Sequence, residues 1–185
     1  RVSFSSNSFA KGKDLLAISA ITRSTGKNLV TEDMNGQVSL IDLTSIGAAS
    51  TKNWTLQELQ QAKHVFATFV GDQSFSRFGY QIGFVDLDGN GSEDLYISEP
   101  YRFTALGGRD SGAIYVWFGG NGQAQEVFHP HSASLVHLGT SKFSKFGYTV
   151  QSGRFGTNGK QALAVSAPRE TVNLRQQGAV YIVQV

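Results

Sequence analysis

The tetrapeptide Arg77-Phe78-Gly79-Tyr80 returns 68 residues later as Lys145-Phe146-Gly147-Tyr148. Leu95-Tyr96-Ile97-Ser98-Glu99-Pro100 returns at the same spacing as Leu163-Ala164-Val165-Ser166-Ala167-Pro168. After 66 residues, Gly112-Ala113-Ile114-Tyr115-Val116 returns as Gly178-Ala179-Val180-Tyr181-Ile182. A more distant copy lies near the start. There Leu16-Ala17-Ile18-Ser19-Ala20-Ile21 matches the middle element and Gly36-Gln37-Val38-Ser39-Leu40 the last. A chain of three related units has to solve one packing problem three times.

Each unit holds short runs rich in Val, Ile, Tyr and Phe, separated by Gly, Asn and Asp, which is the pattern of strands joined by tight turns. A sheet of about four strands cannot bury both of its faces alone, so such units stack face to face as β-propeller blades. The expected fold is all-β. Residues 1–50 read as a partial blade and 51–72 as a linker with a short helix and a strand. Residues 73–125 read as a blade with an acidic loop, and 126–185 as a C-terminal blade without one. The first unit lacks a Phe-Gly opening, so its sheet is expected to take a strand from elsewhere. Thr55 followed by Glu58 is a capping box, which predicts the helix over 55–63.

Composition narrows the function. With 21 glycines and only three prolines the chain is neither collagen-like nor disordered. Its net charge of +2 is spread along the sequence, which gives no case for nucleic acid. No cysteine is present, so disulfides and thiolate metal sites are excluded. No apolar run reaches the roughly 18 residues of a transmembrane segment. The opening Arg1-Val2-Ser3-Phe4 reads as the interior of something longer, a fragment or a processed product.

Between two strand-like runs, Asp86, Asp88, Asn90, Ser92 and Asp94 fall at alternate positions 1, 3, 5, 7 and 9 of one loop. A hard cation such as Ca²⁺ takes six to eight oxygens, and alternate residues of a tight loop can point inward together. Asp86, Asp88, Asn90 and Asp94 would offer side-chain oxygens and Ser92 its carbonyl. An EF-hand is excluded, because position 12 is Ile97 rather than a bidentate Glu. The competing reading is an acidic turn held by Asx hydrogen bonds without metal. The corresponding positions of the last unit, Arg154, Gly156, Asn158, Lys160 and Ala162, cannot hold a cation, nor can those of the first, which predicts one site rather than three.

The Phe-Gly elements at Phe78-Gly79 and Phe146-Gly147, with Ser98-Glu99-Pro100 and Ser166-Ala167-Pro168, resemble the FG-GAP repeats of integrin α-subunit propellers. The stretches TFVGDQSFSRFG (68–79) and GGRDSGAIYV (107–116), with the acidic loop, look closer to the C-terminal propeller part of the glycosylphosphatidylinositol (GPI)-specific phospholipases D. The resemblance implies about three blades of a seven-bladed propeller, with a strand-to-strand calcium loop as in integrin-type repeats. It also implies a secreted, extracellular parent enzyme that hydrolyses the GPI-anchor phosphodiester and releases GPI-anchored proteins. In that family the chemistry belongs to an N-terminal domain with a Zn²⁺ site, which nothing in this chain matches. This portion would then be a scaffold or recognition module. Its partners would be the remaining blades and the catalytic domain, from the same precursor or a co-purifying chain. The alternative implied is an integrin-like adhesion propeller without catalysis.

The remaining candidates are weak. His129-Pro130-His131 has no third ligand at a zinc spacing, and His64 and His137 are isolated from any nucleophile motif. No catalytic residue is expected on this chain. Asn53-Trp54-Thr55 is a glycosylation sequon, credible in a secreted protein, whereas a glycan at Asn90 would obstruct the acidic loop. Gly108-Arg109-Asp110 reads as a turn, and Trp54, Trp117 and the phenylalanines as filling between blades.

Overall fold

Residues 1–6, 9–22, 34–46, 52–120, 127–155 and 159–185 are described by a computed structural model of the chain. The first sheet is an antiparallel meander of β1 (Val2–Ser6), β2 (Asp14–Ala20), β3 (Gln37–Asp42) and β4 (Val65–Val70). Two short helices, α1 (Leu43–Ile46) and α2 (Leu56–Gln61), lie between β3 and β4. The second sheet starts with β5 (Ile82–Val85), β6 (Asp94–Glu99) and β7 (Ala113–Trp117). The chain then returns to the first sheet as β8 (Val127–Phe128), parallel to β4, before β9 (Leu135–Leu138) completes the second. The third sheet contains β10 (Val150–Arg154) and β11 (Gln161–Ala167), followed by a small hairpin of β12 (Thr171–Val172) and β13 (Arg175–Gln176). Strand β14 (Ala179–Val183) pairs with β11 and completes it. The fold is all-β, in propeller blades.

The first sheet does not lack a strand. Val2–Ser6 pairs along β2 and β4 follows β3, so its meander is four strands long, with the two-residue β8 added beyond β4. Among the described residues the three-stranded sheet is the last one. Helix α2 begins as its sequence requires: the Thr55 side chain caps the Glu58 amide, and the Glu58 carboxylate returns to the Thr55 amide at 2.8 Å.

The sheets stack through two apolar layers. Leu15, Val38, Leu40 and Phe69 of the first sheet meet Leu95, Ile97, Tyr115 and Trp117 of the second. The opposite face of the second sheet, through Tyr96, Ile114 and Val116, meets Leu163, Val165 and Val183 of the third. Alternation along β7 thus sends successive side chains into different layers, as a strand buried on both faces must. Burying a large apolar side chain fully is worth about 1.5–3 kcal/mol, so these layers dominate the stability of the stack.

The Phe-Gly segments form the joints. Phe78 is fully buried in the first layer, with its amide on the Asn35 carbonyl of the preceding sheet at 3.1 Å. The next amide, Gly79, bonds Ser98 O of its own sheet at 3.0 Å. One repeat later, Phe146 bonds Ser111 O at 3.0 Å and Gly147 bonds Ser166 O at 3.0 Å. Non-glycine residues hold left-handed φ at matching places, Phe75 (61°) and Arg77 (59°) in one loop, Phe143 (63°) and Lys145 (56°) in the other. Gly36 and Gly112 make the approach possible. A Cβ on either would sit 2.0 Å from Phe78 O or 2.1 Å from Phe146 O respectively.

Candidate metal centre

The acidic loop connects β5 to β6, and its five candidate residues divide between a buried root and an exposed tip. Asp94, at the start of β6, is fully buried. Its Oδ2 accepts from the Leu87 amide at 2.8 Å and its Oδ1 from the Gly119 amide at 2.9 Å. Burial pushes its pKa up and the Asp88 carboxylate adds to that, while the Gly119 and Leu87 amides pull it down. Asp86 is half-buried and accepts from the Gly89 amide at 2.9 Å and the Gly91 amide at 3.0 Å. Exposed Asp88 holds the Asn90 amide at 3.0 Å and the Asn90 side-chain nitrogen at 2.9 Å, and Asn90 Oδ1 accepts from the Ser92 amide at 2.7 Å.

The loop therefore brings Asp86, Asp88 and Asp94 together. Among the described residues this is the one group of three or more potential ligand side chains, with one oxygen from each lying within 4.8 Å of the others. Asn90 and Ser92 stand on the same tip. Each carboxylate oxygen has two lone pairs, so an oxygen that holds an amide can still face a cation. The donors are all oxygens, the chemistry of a hard divalent ion. The Asx bonds expected of the metal-free alternative are also present, and they shape the same loop.

The neighbouring sheet supplies charge of the other sign. Arg154 and Lys160 line one cleft of about 200 Å³ with Asp86 and Asp88. They occupy two of the positions that in the last unit replace the ligands; Gly156 and Asn158 lie outside the described residues.

The other candidates separate. His129 and His131 stack on one another at 5.6 Å beside Pro130, without a third metal-binding side chain grouped with them among the described residues. His64 Nδ1 lies 2.8 Å from Ser45 Oγ, and Trp54 packs edge-on to its ring rather than between sheets. Trp117 does fill the first layer. Asn53 is exposed, two residues before the α2 cap. Asp110 sits at φ 51° in the turn ahead of β7.

Sequence reading missed a second polar cluster. Glu99 is fully buried at the end of β6. Ser76 Oγ at 2.5 Å, Tyr115 Oη at 2.8 Å and Arg102 at 2.9 Å all donate to it, and Arg102 also bonds Asp72 at 2.6 Å. The signal was the carboxylate in Ser98-Glu99-Pro100 where the next repeat has Ala167. All of its partners are satisfied, so it acts as a structural tie between the Phe-Gly loop and β7.

Residues 78–117 match the FG-GAP repeat family. The phosphatidylinositol-glycan-specific phospholipase D of Bos taurus is 27% identical over 166 residues, covering 82% of this chain and 19% of that protein. That of Dictyostelium discoideum is 30% identical over 127 residues, covering 63% of this chain and 13% of that protein. Human integrin alpha-6 is 28% identical over 152 residues, covering 78% of this chain and 12% of the integrin. The chain spans about a fifth or less of the length of these relatives. An FG-GAP repeat thus lies at residues 78–117, and the chain is homologous to the phosphatidylinositol-glycan-specific phospholipases D and to the FG-GAP regions of integrin α subunits.

Proposed function

We propose that the chain is a propeller portion of a GPI-specific phospholipase D-like enzyme, a calcium-stabilised scaffold or recognition module for a catalytic domain elsewhere in the protein. The alignment over 82% of this chain with the cattle phospholipase carries the reading. The parent would hydrolyse the phosphodiester of GPI anchors, with its zinc chemistry outside these residues. The three sheets would be three blades of a seven-bladed ring, with the sequence divided into units at 1–50, 51–72, 73–125 and 126–185.

Calcium would be held by Asp86, Asp88, Asn90 and Asp94 with the Ser92 carbonyl, and the ion would replace mutual repulsion of three carboxylates with attraction. A secreted, extracellular parent glycosylated at Asn53 is part of the same proposal. Further blades would cover the outer face of the third sheet, where Val180 and Ile182 are exposed. No helix among the described residues is long and apolar enough to cross a membrane.

The likeness to integrin alpha-6 over 78% of this chain supports a second reading, an adhesion propeller with no catalytic partner. One experiment separates them. The full natural protein is incubated with vesicles bearing a GPI-anchored reporter; release of the reporter supports the first reading, and reporter retained after zinc and calcium are supplied overturns it.

A further inference from the structure

Among the connections described along their whole length, four leave the same end of the stack, opposite to the acidic loop. They are residues 71–81, 100–112, 139–149 and 168–178. Hydrogen bonds tie them to one another: Phe103 to Gln73, Phe143 to Arg109, Lys145 to Asp110 and Arg169 to Ser144. The end is therefore one continuous surface rather than four separate loops.

Its large apolar side chains point away from the protein. Leu174 is 98% exposed, Leu106 76%, Phe75 59% and Phe103 56%, with Phe143 exposed beside them. Apolar side chains projecting from several neighbouring loops need an explanation that isolated surface leucines do not. The charges among them are mainly basic. These segments carry Arg77, Arg109, Lys142, Lys145, Arg169 and Arg175 against Asp110, since Arg102 is taken up by Glu99 and Asp72 and Glu170 is buried.

We propose that this end of the stack docks on an anionic phospholipid surface, with Leu106, Leu174, Phe75, Phe103 and Phe143 entering the interfacial layer and the basic side chains meeting phosphate headgroups. Two features favour lipid over a protein partner. The apolar groups sit on projecting loop tips spread over several segments, which suits shallow insertion into a fluid interface and would need a separate pocket for each in a rigid partner. The basic groups surround those tips, so attraction to an anionic leaflet and insertion act in the same orientation. The firm mounting of the loops matters as well. Their shared hydrogen bonds hold the tips in place, so little ordering entropy opposes docking. The inference stands apart from the calcium and phospholipase readings, since neither the acidic loop nor any catalytic group takes part.

The test is co-sedimentation of the full natural protein with vesicles of phosphatidylcholine alone and with about one-third phosphatidylserine. The expected result is binding to the anionic vesicles at least about tenfold tighter than to neutral ones, weakened by raising salt from ~0.1 to ~0.5 M. Leu106→Asp with Leu174→Asp should reduce it about tenfold or more with an unchanged melting temperature, because both side chains are already in water. Lys142→Glu with Arg175→Glu should abolish the preference for phosphatidylserine. Leu174→Trp should be quenched by brominated acyl chains on vesicle addition. Absence of vesicle binding, binding that ignores both double variants, or an unquenched tryptophan each overturns the proposal. So does loss of binding to an acidic protein in the Asp variants without any vesicle binding, which would make the surface a protein interface.

Discussion

Tyr80 and Tyr148 hold the same position in consecutive repeats, and their rings lie 5.2 Å apart. The hydrogen bond that the Tyr80 hydroxyl donates to Tyr148 pushes the Tyr80 phenol up to about 12, with burial contributing next. Because the folded pKa lies above the unfolded one, this contribution is complete below about 10 and is lost as pH climbs towards 12. Tyr148→Phe should move the Tyr80 transition back towards 10, read by ultraviolet titration of phenolate, and should remove that part of the alkaline loss of stability.

The acidic loop separates a metal role from a structural one. Asp88→Ala should lower the melting temperature in calcium and change it little in chelator. Asp94→Ala should be costly in both, about 2–4 kcal/mol, because the Leu87 and Gly119 amides lose a buried charged acceptor. Thermal melts of both variants with calcium and with EDTA decide this. Equal behaviour of the two would remove the metal role.

Glu99 and Arg102 should respond unequally. Burial raises the Glu99 pKa, opposed by the Arg102 charge and by the Ser76 and Tyr115 hydroxyls. With the folded pKa above the unfolded one, its contribution is full at acid pH and declines as pH rises through the folded value. Glu99→Gln should cost about 1–3 kcal/mol at pH 7, because its NH2 would face a donor where an oxygen now accepts, whereas Arg102→Ala, which strands a buried carboxylate, should cost about 3–5 kcal/mol. Urea denaturation of both measures the difference.

Gly112→Ala should be among the most damaging single-methyl changes. It places a Cβ against the Phe146 carbonyl at a residue with φ 86°, and about 3 kcal/mol is the scale expected. Gly12→Ala, also at positive φ but with nothing within 4 Å, isolates the backbone part of that cost, about 1 kcal/mol.

Residues 1–185 alone should not cleave a GPI anchor. Incubation of the purified chain with a GPI-anchored substrate and zinc should yield no released protein, and turnover would place a catalytic centre where the sequence encodes no nucleophile motif.

Much of this architecture was legible because the repeat is long and its elements are short. The match of Arg77–Tyr80 with Lys145–Tyr148 marks both joints in the sequence itself, and the Thr55–Glu58 box marks a helix start, since a cap is a local interaction readable from four residues. The acidic loop was visible through its alternation, and Asp86, Asp88 and Asp94 do converge. Strand membership was harder. Val65–Val70 reads as the strand of a linker, yet it is the fourth strand of the first sheet, and β8 pairs with it from far along the chain. Such pairings are fixed by burial between sheets, which no single window of sequence contains. The Glu99 cluster was invisible for the same reason: Ser76, Tyr115 and Arg102 converge only once the Phe-Gly loop has folded over β7.

The glycine-to-carbonyl approach at Gly36–Phe78 and again at Gly112–Phe146 gives the stack a direction. The second sheet carries both parts, the Phe78 plug towards the first sheet and the Gly112 socket towards the third, so units add head to tail rather than face against like face. A joint of that kind is heterologous, and repeating it must trace either a closed ring or an open helix. The choice rests on the rotation each joint imposes, to which the packing of the two apolar layers contributes. Blade number is then a property of the repeated joint rather than of a single sheet.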